Sequence, residues 1–317
     1  MVPLSINELT TLRWSFEEDV LNYRAAGIAA MGVWRGKLAD YGEERGAELL
    51  AEHDMAVSNL LWAGGFTGSE GPSYCEAIAD AEAALELAAT LDAGCLVLYS
   101  GGRVGHTARH ARRVLKDALK HLDPIAAGLG VTLALEPMHP AVAEPCTLLT
   151  SIDETLDAIA AAGCRATKVA FDTYHLGHAL CRGAANERGR SAAIAQLAEI
   201  APLLAVVHLA DSRGAPRTEQ NRCRLGSGTL PLVDIVAALV AGGYRGYYDV
   251  ELFGEDVEWF DYAELIAHSQ RMFRRLGAAV EAPSASEAAA NDDRVLADRC
   301  DFERSAAARE RPRRAVG

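Results

Sequence analysis

Four ionisable side chains end successive apolar runs of the chain: Glu136, Asp172, His208 and Glu251, in "LALEP", "KVAFD", "VVHLAD" and "DVELF". A charged group that ends a buried apolar run needs a partner, because burying it alone is costly. Three carboxylates and one imidazole form a hard, oxygen-rich ligand set. The pattern therefore predicts one divalent metal ion, Mn²⁺ or Mg²⁺, with Co²⁺ and Zn²⁺ as alternatives. The alternative is a buried salt-bridge network.

His175 follows Asp172 at a spacing of three residues, in "FDTYH". On a continuing strand, these two side chains would point to opposite faces and could not share a site. If the strand ends at Asp172 and the chain turns into a loop, His175 can swing back and face a bound substrate. The alternative is a loop histidine that caps the next helix.

The elements that must position these residues alternate regularly along the chain. Eight short apolar runs are each followed by a longer amphipathic segment, and such continuous apolar runs are typical of strands buried on both faces of a parallel sheet. Eight strand–helix units in about 280 residues predict an α/β fold of the (β/α)₈ TIM barrel type, whose functional residues lie at the carboxyl ends of the strands. A doubly wound open sheet is the alternative, but no G-x-G-x-x-G run follows the first strand.

The composition changes near residue 282. Residues 1–281 hold all the strand–helix units, and we expect them to form one catalytic barrel domain. Residues 282–317 are rich in Ala, Arg, Asp and Glu and poor in large apolar side chains. Such a segment cannot offset its ordering entropy, so we predict a flexible, disordered tail.

The net charge of the chain indicates which partners to exclude, and its cysteines indicate the cellular compartment. The 317 residues carry a net charge of −13, which argues against nucleic acid and anionic membranes as partners. The seven cysteines are odd in number and never spaced C-x-x-C, so we expect no disulfide framework and a reducing, cytoplasmic location. The first residues lack the pattern of a secretion signal. The exposed helices of a barrel can pair between two copies of the chain, so the pattern allows a homo-oligomer.

The motifs, taken in order, resemble the xylose-isomerase-like TIM barrels from about Leu4 to Ala279. The resemblance is carried by "LEP" at 135–137, "DTYH" at 172–175, "HLAD" at 208–211, "GSGTLPL" at 226–232 and "VEL" at 250–252. That family includes sugar epimerases, hydroxypyruvate isomerase-like enzymes, inosose dehydratases and endonuclease IV. The resemblance implies that Glu136, Asp172, His208 and Glu251 bind one divalent ion, usually manganese. It also implies that His175 and Arg213 contact substrate oxygens.

These residues predict a metal-dependent isomerase or epimerase acting on a sugar or keto-sugar. A metal that chelates a ketose carbonyl and the neighbouring hydroxyl acidifies the C–H bond and stabilises an enediolate. Glu136 and Glu251 are the candidate acid and base. A lyase, such as a keto-inositol dehydratase or a 3-keto-glycoside-eliminating, C-deglycosylating enzyme, is the alternative, because the same enediolate can expel a β-substituent.

Two other functions fit less well. Endonuclease IV-like enzymes carry an Asp-Arg-His run after strand seven, where this chain has Asn221-Arg222-Cys223, and the negative charge opposes DNA binding. A non-catalytic binding barrel would leave four convergent ligands unexplained.

Three further residues are candidate contacts for a small carbohydrate substrate. Arg222, in "NRCRLGSG", can bind a phosphate or a hydroxyl, the alternative being a solvated loop. Arg213 either contacts substrate or pairs with Asp211 on the surface. Trp62, at the end of the third strand, either forms an apolar wall for a sugar face or packs in the core.

Overall fold

The structure, a computed structural model, describes residues 3–103, 105–182, 187–255 and 257–281. Its eight strands are all parallel and pair in chain order, and the first strand also pairs with the last, so the sheet closes into a barrel. The predicted TIM barrel is therefore confirmed. The strands are β1 Leu4–Asn7, β2 Ala30–Trp34, β3 Ala56–Gly64, β4 Leu96–Tyr99, β5 Leu133–Leu135, β6 Thr167–Asp172, β7 Leu204–Leu209 and β8 Tyr248–Val250.

Helices follow the strands. They are α1 Phe16–Ala25, α2 Arg35–Tyr41, α3 Glu43–Glu52, α4 Tyr74–Thr90, α5 Ala108–Leu129, α6 Pro140–Ala143, α7 Ile152–Ala162, α8 Thr173–Arg182, α9 Glu187–Ile200, α10 Leu232–Ala241 and α11 Tyr262–Glu281, with 3₁₀ helices at Glu8–Thr11 and Ala201–Leu203. Capping serines start several of them. Ser15 and Ser73 each exchange hydrogen bonds with a glutamate three residues later, which satisfies backbone groups at the helix start.

The segment after β6 differs from the sequence-based expectation of a loop. Helix α8 begins at Thr173, directly after the strand. The cause is local, because Asp172 Oδ1 accepts a 2.6 Å hydrogen bond from the backbone N–H of Tyr174, as an N-cap residue does. His175 therefore lies in the first turn of a helix.

The barrel interior beneath the strand ends is built from small apolar residues. Side chains two positions apart on a strand point the same way. Ala134, Ala170 and Val206 thus lie one layer below the first three strand-end residues, in a buried apolar cluster. Below the fourth lies a buried acid, Asp249, which accepts hydrogen bonds of 2.6 to 2.8 Å from Ser5 Oγ, Asn7 Nδ2 and Asn59 Nδ2.

By its internal contacts, the chain divides into two units, Met1–Gly277 and Ala278–Gly317, and all eight strands belong to the first. Residues 282–317, for which we predict a flexible tail, lie outside the described residues. The domain boundary at residue 281 stays a prediction. Among the described residues, no helix combines the length and the apolar character that a membrane span requires.

Candidate active site

The four strand-end residues meet at the carboxyl mouth of the barrel. Asp172 and His208 lie within the last two positions of β6 and β7, and Glu136 and Glu251 directly follow β5 and β8. All four are buried, with at most 3% of any one exposed. One candidate ligand atom from each of Glu136, Asp172 and His208 lies within 4.8 Å of the others. Glu251 completes the cluster through His208, because its Oε2 is 2.9 Å from Nδ1 of the imidazole.

The electrostatics of this cluster set its two glutamates apart. Burial raises the pKa of Glu136 to about 7 and also raises that of Asp172. Burial acts on Glu251 in the same direction, but the neighbouring His208 and Arg222 lower its pKa to about 2. For His208, burial alone would favour the neutral ring, yet Glu251 and Glu136 raise its pKa well above the ordinary value.

The donor set fits a divalent cation. Buried carboxylates from three strand ends surround one imidazole, and Nδ1 of His208 also lies 3.3 Å from Glu136 Oε1. Hard oxygen donors with a single nitrogen suit Mn²⁺, Mg²⁺, Co²⁺ or Zn²⁺. The residues that would hold the ion are Glu136, Asp172 and His208, with Glu251 beside them.

Arg222 is a fixed part of the site. Its side chain is 1% exposed, and its Nη2 lies 2.8 Å from Asp172 Oδ2 and 3.5 Å from Glu251 Oε1. The guanidinium is stacked between the rings of Tyr174 and Phe253, at 4.3 and 4.1 Å from their centroids. The alternative of a solvated loop arginine is therefore wrong, because the loop after β7 folds inwards against two aromatic rings.

His175 is also buried in the site, at 2% exposed. Its Nδ1 accepts a 3.3 Å hydrogen bond from the backbone N–H of His139, so the proton of the neutral ring is on Nε2. That nitrogen lies 3.6 Å from Asp172 Oδ2 and 3.5 Å from Glu219 Oε2. Burial lowers the pKa of His175 to about 4, so the ring is neutral at pH 7 and offers one N–H donor.

A cavity of about 310 Å³ opens beside these residues. Its lining comprises Trp62, Glu70, Tyr99, Glu136, Met138, Cys146, His175, Glu219, Arg222, Glu251 and Phe253. Of the four predicted substrate contacts, His175, Arg222 and Trp62 line this cavity. Arg213 does not line it, and its side chain is exposed on the loop after β7.

Several lining residues were missed in the sequence. Tyr99 ends β4, so the rule that strand ends carry function could have found it. Glu219 stands three residues before Arg222 and binds it at 2.9 Å, but nothing in the local pattern marks it. Glu70 lies in a glycine-rich loop that carries no recognisable motif.

Comparison with known proteins gives a family and a set of similar folds. The sequence pattern of the family described as "xylose isomerase-like TIM barrel" matches residues 20–276. No curated protein matches the chain in sequence.

Among solved structures, a protein from Sinorhizobium meliloti 1021 is 27% identical, with a TM-score of 0.74 over 86% of this chain and 98% of that one. The IolI protein, solved with a bound zinc atom, is 21% identical, with a TM-score of 0.73 over 87% and 98% of the two chains. A structure of L-ribulose 3-epimerase is 20% identical, with a TM-score of 0.69 over 90% and 99%. The last two likenesses concern the fold alone.

Proposed function

The chain belongs to the xylose isomerase-like TIM barrel family, and on that basis we propose that it is a divalent-metal-dependent isomerase or epimerase of sugars or keto-sugars. The observation that carries the proposal is the convergence of Glu136, Asp172 and His208, whose candidate ligand atoms lie within 4.8 Å of one another. They stand beside a cavity that Glu136 and Glu251 line. The proposed substrate is a small carbohydrate, and we propose no role for nucleic acid or membranes. That the protein forms a homo-oligomer and lies in the cytoplasm stays our prediction.

Metal chemistry would supply the activation that this reaction needs. A divalent cation held by Glu136, Asp172, His208 and Glu251 would polarise a substrate carbonyl and so acidify the neighbouring C–H bond. Mn²⁺ is our first choice of ion, with Mg²⁺, Co²⁺ and Zn²⁺ as alternatives.

The two glutamates divide the proton transfers between them. Glu136 and Glu251 both line the cavity, so we assign them as the base that takes the substrate proton and the acid that returns one, in turn. As ligands of a cation both carboxyl groups would be deprotonated, so each can begin as the base.

Two further residues orient the reacting groups. His175 presents its Nε2–H to a substrate oxygen, since its ring is neutral and its Nδ1 is occupied by His139 N–H. Arg222 holds Asp172 and Glu251 in place through its Nη2. His175 and Arg222 both line the cavity.

The comparisons support the reaction class and leave the substrate open. One similar fold is L-ribulose 3-epimerase, and the IolI protein binds zinc. Both are similar to this chain at 21% identity or less, so their substrate and metal are suggestions for the assay.

The test is solvent deuterium incorporation into ketoses, keto-inositols and 3-keto-glycosides by the Mn²⁺-loaded protein, followed by NMR. We expect exchange at the carbon next to the carbonyl, loss of exchange in EDTA, and recovery with Mn²⁺ or Co²⁺. Glu251→Gln should abolish turnover and weaken Mn²⁺ binding, whereas Glu258→Gln on the exposed loop should change neither. Unchanged turnover in Glu251→Gln removes the mechanism. Release of water or an aglycone identifies the lyase alternative.

A further inference from the structure

The cavity contains a second polar pair that the metal site does not use. Glu70 follows β3, and Tyr99 ends β4. Tyr99 donates a 2.6 Å hydrogen bond to Glu70 Oε2, and both residues line the cavity. In a closed barrel of eight strands in chain order, β3 and β4 lie across the mouth from β7 and β8. The pair therefore faces His208 and Glu251 from the opposite side.

The loop that carries Glu70 is held close to Tyr99. Gly64 and Gly65 have φ values of 145° and 71°, and a Cβ at Gly64 would lie 1.9 Å from the backbone oxygen of Tyr99. Only glycine permits that approach. The loop is then fastened to the chain after β4, because Thr67 Oγ1 donates a 2.7 Å hydrogen bond to the Gly102 carbonyl.

The charge of the cavity disfavours anionic ligands. Four of its lining residues are glutamates: Glu70, Glu136, Glu219 and Glu251. The lining guanidinium, Arg222, already binds Glu219 at 2.9 Å and Asp172 at 2.8 Å. A bound divalent cation and Arg222 together carry three positive charges. The four lining glutamates and Asp172 are five carboxyl groups, so among the described residues the carboxyl groups outnumber the positive charges. A phosphate would meet repulsion here, and the lining residues that the structure describes would offer it no cation other than the already paired Arg222.

We propose that Glu70 and Tyr99 bind hydroxyl groups at the end of the substrate remote from the metal ligands, and so select neutral, unphosphorylated polyhydroxy carbonyl compounds. Among the described residues, Glu70 has Tyr99 as its one hydrogen-bond partner, so its remaining lone pairs are available to hydroxyl donors. A phosphate or carboxylate at that end of the substrate would present hydrogen-bond acceptors to the carboxylate of Glu70, which is itself an acceptor, so the two could not form a hydrogen bond. The inference rests on the proposed function, since it names the substrate class of the same site.

The experiment compares free ketoses with their phosphate esters. Fructose, tagatose and psicose and their 6-phosphates are offered to the full-length Mn²⁺-loaded protein, with Kd measured by calorimetry and kcat/KM by deuterium exchange. We expect at least one free ketose to have a Kd lower than that of its ester, and a kcat/KM higher than that of its ester, each by about tenfold or more, the scale of one hydrogen bond to a charged group.

The variants separate recognition from folding. Glu70→Gln keeps the size of the side chain and removes its charge, so we expect a higher KM for the free ketose, a nearly unchanged kcat and a smaller penalty for the ester. Tyr99→Phe should raise KM for the free ketose alone. Glu86→Gln, on the exposed face of α4, makes the same charge change away from the cavity and should leave all three values unchanged.

The outcomes are distinguishable. Equal or tighter binding of the esters, no binding of any free ketose, or an equal loss for ketose and ester in Glu70→Gln each overturns the recognition pair. Tighter binding of free ketoses without deuterium exchange in any compound supports the pair and removes the proposed enolisation chemistry instead.

Discussion

Replacing Arg222 by methionine tests whether the buried acids of the site depend on a built-in cation. Arg222 Nη2 lies 2.8 Å from Asp172 Oδ2, and Nη1 lies 2.9 Å from Glu219 Oε2. Removing one partner of a buried ion pair costs about 3 to 5 kcal/mol, because the remaining charge stays buried without compensation. Methionine keeps most of the apolar volume between Tyr174 and Phe253, so the cavity term stays small.

The size of this loss should depend on pH in a definite direction. Although burial favours the protonated form, His208 and Arg222 lower the pKa of Glu251 from 4.5 to about 2. A carboxyl group with a lowered pKa stabilises the folded state above its unfolded pKa and loses that contribution as pH falls through the folded value. The effect of Arg222→Met should therefore be full above about pH 5 and shrink below pH 4.5, where the uncompensated carboxyls take up protons.

The assay is urea unfolding in EDTA at pH 7.5 and at pH 4, with Arg222→Lys as the control that keeps the charge. We expect Arg222→Met to lose about 3 to 5 kcal/mol at pH 7.5, and Arg222→Lys to lose less. Adding Mn²⁺ should restore more stability to Arg222→Met than to the parent protein, because the ion supplies the missing positive charge. A loss below about 1 kcal/mol at pH 7.5, typical of an exposed pair, would refute the reasoning.

Two further predictions concern the barrel interior and metal binding. A Cβ at Gly32 would lie 2.4 Å from Asp249 Oδ2, so Gly32→Ala should lower the free energy of unfolding in urea by about 1 to 3 kcal/mol. The control is Gly128→Ala in α5, where a Cβ would meet open space; it should raise the free energy of unfolding by about 0.5 to 1 kcal/mol. A comparable loss in both would contradict the packing argument. Mn²⁺ affinity should rise as pH increases through about 7, since Glu136 must lose its proton to bind a cation, and calorimetry in buffers of different ionisation enthalpy should detect the released proton. Equal affinity at pH 6 and pH 8 would count against Glu136 as a ligand.

The barrel and its strand-end acids could be predicted because their signals are local and periodic. Strands buried on both faces give continuous apolar runs, and a charge that ends such a run stands out, as Glu136 and Asp172 do. Arg222 and Arg213 could not be told apart in the same way. Both lie in the loop after β7. Arg222 is buried against the rings of Tyr174 and Phe253, which come from other segments of the chain, whereas Arg213 is exposed.

The segment "FDTYH" shows that a residue of the candidate site can also have a structural role that the sequence does not reveal. Asp172 uses Oδ1 to cap α8 through Tyr174 N–H, and Oδ2 to bind Arg222 Nη2. The same carboxylate thus starts the helix whose first turn carries His175, and places His175 Nε2 3.6 Å from its own Oδ2. The sequence-based expectation of a loop after Asp172 fails because the residue that ends the strand also begins the helix. The proposed metal ligand, the helix cap and the proposed substrate contact are therefore coupled through the side chain of Asp172, which explains how a spacing of three residues brings Asp172 and His175 to one site.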